Sequence, residues 1–274
     1  MRNIKLIIEY DGKNFNGWQK QPDKLNIQGE IEKAISEITG EEIELIGSGR
    51  TDAGVHSLGQ TANFKTESQI PIEKFAIAIN SKLKKSIVVK SAEEVDERFH
   101  SRYSVKSKTY RYIINNSEQG TAIYRGLEVH VPMKLNVDLM KKAAKYFEGE
   151  HDFKAFKASG TSSKSSVRTI YKIDVRREDD RIYIEATGSG FLYNMVRIIV
   201  GTLVEVRTRK NKTRRNYFNY WKWKKRKCWK NISSTWFISF KSWILKTPPC
   251  RSGKGDKFFL QFKPKQWTHC LCFL

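Results

Sequence analysis

Residues 44–64 read ELIGSGRTDAGVHSLGQTANF. Two strand-like runs, 42–47 and 56–64, flank a polar loop marked by glycines. Helical spacing stands on either side of this unit. Ile31, Ala34, Ile35 and Ile38 recur at three and four residues upstream, and IEKFAIAINSKL (72–83) reads as a helix downstream. With strands predicted over IKLIIEY (4–10) and SIVVKSAEEV (86–95), residues 1–95 read strand, helix, strand, strand, helix, strand. That order is the split βαβ, or ferredoxin-like, unit.

The theme returns further on. KTYRYIINN (108–116) is a predicted strand with aromatic residues on alternate positions. VDLMKKAAKYFEGE (137–150) reads as a helix, VRTIYKIDVRRE and RIYIEATG as two strands joined by a turn, and FLYNMVRIIVGTLVEV (191–206) as an apolar helix. A closing strand is missing from this second set. The expected fold class is therefore α+β, with two ferredoxin-like halves and a mostly antiparallel central sheet. The expected division is 1–105, an incomplete 106–206, and a tail from 207 to 274.

The tail differs in kind from the rest. The 274 residues carry a net charge of +22, which suggests nucleic acid as a partner. Residues 207–274 hold 19 Lys and Arg against one acid, Asp256, while the first 206 residues are only +4. The tail also holds Cys228, Cys250, Cys270 and Cys272 and six of the seven tryptophans. Cys270, Cys272 and His269 lack a second pair at metal-site spacing, and the remaining chain is cysteine-free, so neither a metal site nor a disulfide framework is expected. No apolar run reaches the ~18 residues of a membrane span. The start MRNIKLIIEYDG reads as a first strand and not as a leader. The expectation is a soluble, cytoplasmic protein.

The loop 48–55 admits two readings. Asp52 could be a turn residue bonding its own backbone, with Arg50 as a surface ion-pair partner and His56 structural. The chemical reading needs a carboxylate held rigidly beside a cation. GSGRTDAGVH supplies glycines for close approach and Arg50 two positions away. Arg197, in NMVRIIVG, is a second candidate partner, because an arginine on so apolar a helix calls for a site or a carboxylate to face. Tyr110 by itself reads as a core aromatic, and Trp18 and Lys20 as members of an exposed loop.

GRTDAGVH followed by GQ and an aromatic resembles the signature of the tRNA pseudouridine synthase I (TruA-type) family. IEYDGKNFNGWQKQ with IQGEIEKAI, KTYRYII and NMVRIIVGTLVEV resemble three further family segments, in the same order, across residues 4–206. The resemblance implies a pseudouridine synthase fold with Asp52 as catalytic aspartate, Arg50 and Arg197 as site arginines, and Tyr110 stacking on the target base. Trp18 and Lys20 would help to hold the RNA. It implies isomerisation of uridines 38, 39 and 40 in the anticodon stem-loop of tRNA, a homodimer, and no cofactor or metal. A non-catalytic RNA-binding protein, or an inactive synthase, is the alternative.

The resemblance stops after Val206. Shifted by one base, the codons of RTRKNKTRRN permit G-x-G-K-I-R-P-E-E, and those of CWKNISSTWFISF permit A-G-K-T-S-A-P-H-G-L-Y-L. Two glycines are forced by the unique Trp codon at Trp229 and Trp236. A reading-frame shift explains a tail whose local signals disagree with the rest. A basic, aromatic RNA-binding extension is the competing account.

Overall fold

The computed structural model describes residues 1–158 and 165–206, with a short strand at 244–246. Strand β1 (Arg2–Tyr10) leads to helix α1 (Ile27–Thr39), the short strand β2 (Ile46–Gly47), strand β3 (His56–Thr66), helix α2 (Ile72–Lys82) and strand β4 (Ile87–Val95). β1 pairs antiparallel with β3 and β4, and β2 pairs antiparallel with β3. The order β4-β1-β3-β2 is the predicted ferredoxin-like half. α1 begins where the Asn26 side chain accepts a hydrogen bond from the Gly29 amide at 2.8 Å, and ends at Gly40 with φ 73°. Its apolar stripe, Ile27, Ile31 and Ile35, is buried with Ile4, Leu6 and Ile8 of β1.

The second half comprises β5 (Lys108–Asn115), β6 (Val129–His130), α3 (Val137–Ala144), β7 (Gly149–Asp152), β8 (Val167–Glu178), β9 (Arg181–Gly188), α4 (Met195–Glu205) and β10 (Ile244–Lys246). One sheet runs β4-β1-β3-β10-β5-β9-β8-β7. β10 lies parallel to β3 and antiparallel to β5. It occupies the closing-strand position that the sequence reading left empty, so β10-β5-β9-β8 repeats the order of the first half. The rest of 207–274 lies outside the described residues, and so does its reading as a shifted frame.

Two predicted helices are shorter than expected, each for a backbone reason. α3 stops at Ala144 and passes through a 3₁₀ turn at Lys145–Phe147; Gly149, at φ 99°, then starts β7. α4 begins only at Met195, because Asn194 takes φ 58°. Residues 191–194 therefore form a loop. Each half has its own buried apolar cluster. Val55 is the exception: it belongs to the loop of the first half but packs in the core of the second.

Candidate active site

The loop between β2 and β3 is fixed at its root by main-chain and side-chain bonds. Ser48 N donates to Thr61 O at 2.8 Å, and Gln60 Nε2 to Gly49 O at 2.6 Å. Its tip is cradled by residues 11–18. Trp18 N donates to Thr51 O at 3.1 Å and Gly54 N to Phe15 O at 3.2 Å. A Cβ on Gly12 would overlap the Val55 carbonyl, and one on Gly17, at φ 91°, the Thr51 carbonyl. These positions accept only glycine because backbone meets backbone there. His56 Nδ1 lies 3.0 Å from Asp11 Oδ1, closing the far side.

Within this frame Asp52 is half-buried. Its carbonyl accepts from Val55 N at 3.2 Å, so its backbone does form a turn. Its carboxylate takes no part in that turn: among the described residues it accepts no hydrogen bond and forms no contact ion pair. Burial raises the Asp52 carboxyl above its ordinary range, and the field of Arg197 partly offsets this. Arg197 sits in the first turn of α4, half-buried. The exposed Arg50 lines the same cavity without an acid partner among the described residues.

β5 supplies the facing wall. Side chains alternate along a strand, so Lys108, Tyr110 and Tyr112 share one face. Tyr112 is fully buried, and Tyr110 is partly buried against the second core. Phe191, released by the late start of α4, meets the Tyr110 ring edge-on at 5.2 Å. Burial, and secondarily the Asp52 charge, push the Tyr110 hydroxyl well above the usual phenol range. The tyrosine therefore stays protonated.

Asp52, Arg50, Arg197 and Tyr110 converge on one cavity of about 810 Å³. Trp18 borders it, but the ring is 2% exposed, stacks 6.1 Å from Tyr10 and lies where a Cβ on Gly47 would strike it at 2.6 Å. Lys20 is not part of the lining; its ammonium is paired with Glu32 at 3.0 Å. Arg102, Lys108, Arg168 and Phe191 line the cavity although no sequence motif singled them out. Only Lys108 had a legible signal, its same-face spacing from Tyr110. Among the described residues, no group of three His, Cys, Asp or Glu side chains could hold a metal ion, and no helix is long and apolar enough to cross a membrane.

Paired ferredoxin-like halves, with a half-buried carboxylate, a facing tyrosine and flanking arginines at their seam, are the arrangement expected of a pseudouridine synthase, an isomerase. The model of the family described as tRNA pseudouridine synthase matches residues 6–104 and 143–227, and the chain belongs to that family. It is 55% identical over 206 residues to "tRNA pseudouridine synthase A" of Acetivibrio thermocellus, covering 75% of this chain and 84% of that protein. It is 54% identical over 207 residues to the protein of the same name from Ruminiclostridium cellulolyticum, with the same coverage. It is 53% identical over 212 residues to "tRNA pseudouridine synthase A 2" of Clostridium perfringens, covering 77% and 87%.

Proposed function

We propose that the chain is built to isomerise uridine to pseudouridine at positions 38, 39 and 40 in the anticodon stem-loop of tRNA, acting as a cytoplasmic homodimer. The observation that carries the site assignment is the Asp52 carboxylate. It is half-buried at the cavity, opposite Tyr110, and among the described residues no local bond uses it. A uridine in a stem must leave the stack to be reached. Tyr110 offers its ring to the flipped base, and Asp52 attacks as a carboxylate, at the base or at C1′ of the sugar. The C1′–N1 bond breaks, the uracil turns, a C5–C1′ bond forms, the bond to Asp52 is released so that its carboxylate returns, and the C5 proton departs while N1 gains one. No electrons are exchanged with an outside partner. Arg197 favours the ionised nucleophile through its field, and Arg50 stands at the cavity for the RNA. Lys20, tied to Glu32, and Trp18, packed under Gly47, serve the site by shaping its scaffold.

The test is tritium release from 5-tritiated uridine in an anticodon stem-loop, with position read by sequencing. Release confined to uridines 38–40 is expected. Release from other uridines alone would overturn the positional assignment. The homodimer is tested separately by sedimentation of the purified chain.

A further inference from the structure

Three cations line the cavity beyond the groups used above: Arg102, Lys108 and Arg168. They come from three separate segments. Arg102 stands exposed in the turn before β5, Lys108 opens β5, and Arg168 lies near the start of β8. Each is positioned by the main chain. Lys108 Nζ donates to Ser48 O at 2.7 Å, on the loop that carries Asp52. Arg168 Nη1 donates to Ser165 O at 3.0 Å and Val167 O at 2.6 Å. The turn holding Arg102 is pinned where Ser101 N donates to the buried Asn63 Oδ1 at 2.8 Å. Among the described residues neither Arg102 nor Lys108 has an acid in salt-bridge contact. Burial, and then the charges of Arg102 and Arg168, lower the affinity of Lys108 for its proton.

A cluster of like charges, two of them half-buried, is costly, and folds keep such sets where an anion joins them. A strand advances about 3.3 Å per residue, so Lys108 stands ~7 Å along β5 from Tyr110 on the same face. That is the reach from the base of a nucleotide to its own phosphate. We propose that Arg102, Lys108 and Arg168 form a cradle for one backbone phosphate flanking the flipped uridine. The cradle rests on the reading of this cavity as the uridine site. It holds the nucleotide by its phosphodiester while Tyr110 holds the base. Through Ser48, Lys108 links this phosphate to the loop of Asp52.

The test is equilibrium binding of an anticodon stem-loop, with turnover measured separately. The full chain and its R102Q, K108M and R168Q variants are titrated with RNA carrying a single uncharged methylphosphonate 5′ or 3′ of the target uridine. One of the two substitutions is expected to weaken binding by the unaltered chain roughly tenfold. It is expected to weaken binding by K108M less than binding by the unaltered chain, since one of the three charges it would meet is already gone, with K108R behaving like the unaltered chain. R102Q and R168Q, which leave the Lys108–Ser48 bond in place, serve the same comparison should K108M misfold. No effect of either methylphosphonate, or equal effects in the unaltered chain and all three variants, would overturn the cradle. Phosphate-coupled binding without any pseudouridine formed would sink the isomerase reading and leave the cradle standing.

Discussion

Asp52 and Arg197 act on one another across the seam between the two halves without closing into a contact ion pair. The carboxylate thus has a stabilising field but an open approach. Removing that field should raise the Asp52 pKa further, because burial already raises it. R197M is expected to cost roughly 10²-fold in turnover and to move the acid limb of the pH–rate profile to higher pH. R197K should restore part of both. An R197M profile displaced to lower pH would refute this coupling.

The ferredoxin-like plan was legible because it rests on periodicity and element order, which a chain displays directly. Asp52 was named with Arg197 as its candidate partner; that the two interact without a contact ion pair was not legible. Lys108 could be inferred from strand alternation once Tyr110 was placed. Arg102 and Arg168 could not, since their meeting depends on pairing across the sheet. Trp18 and Lys20 read as exposed because their loop is polar. Lys20 is exposed, with Glu32 holding it away from the cavity lining, whereas Trp18 is buried under Gly47. Neither contact leaves a trace in local spacing.

Asp52 should be a stability liability at neutral pH. Its folded-state pKa is raised, so the folded chain binds this proton more tightly than the unfolded chain. The ionised form therefore costs stability above the folded pKa, and the cost fades as pH falls through the unfolded value. D52N is expected to raise Tm at pH ~7 and to leave it unchanged near pH ~3. The same substitution should reduce turnover by at least roughly 10⁴-fold while RNA binding persists. Unchanged tritium release would refute the nucleophile assignment.

Tyr110 tests stacking against acid–base chemistry. Its hydroxyl remains protonated throughout the working range, and Phe191 braces its ring. Y110F should retain turnover to within about tenfold, whereas Y110A should lose roughly 10–100-fold in binding of the flipped nucleotide, the worth of one stacked base. Equal losses in both variants would move the role from the ring to the hydroxyl.

Gly12 holds the catalytic loop through Val55 without itself lining the cavity. A methyl group there must displace the Val55 carbonyl, and Val55 is the loop residue that plugs the second core. G12A is expected to cost about 2 kcal/mol and lower Tm by roughly 4–8 °C, with turnover falling more steeply than RNA binding. A variant with normal Tm and normal turnover would show that the loop does not depend on this contact.

The Acetivibrio protein aligns over 206 residues with 84% of it covered and the family match runs to residue 227, while the sequence from 207 breaks sharply in charge and in Trp and Cys usage. We infer a shifted frame near codons 200–240. Sequencing should reveal codons for the Gly-Lys-Ile-Arg-Pro and Gly-Leu-Tyr-Leu stretches one base out of register. The closing strand of a ferredoxin-like half is a central one here, between β3 and β5, and among the described residues Ile244–Lys246 take that place. A longer strand would extend pairing along Tyr110's own strand and stiffen the wall that bears it. The frame-corrected chain is therefore expected to melt higher and to turn over faster than the chain as written, with Asp52, Tyr110 and Arg197 unchanged. Equal Tm and equal tritium release from the two chains would mean that residues 207–274 already complete the fold, and the shifted frame would lose its structural support.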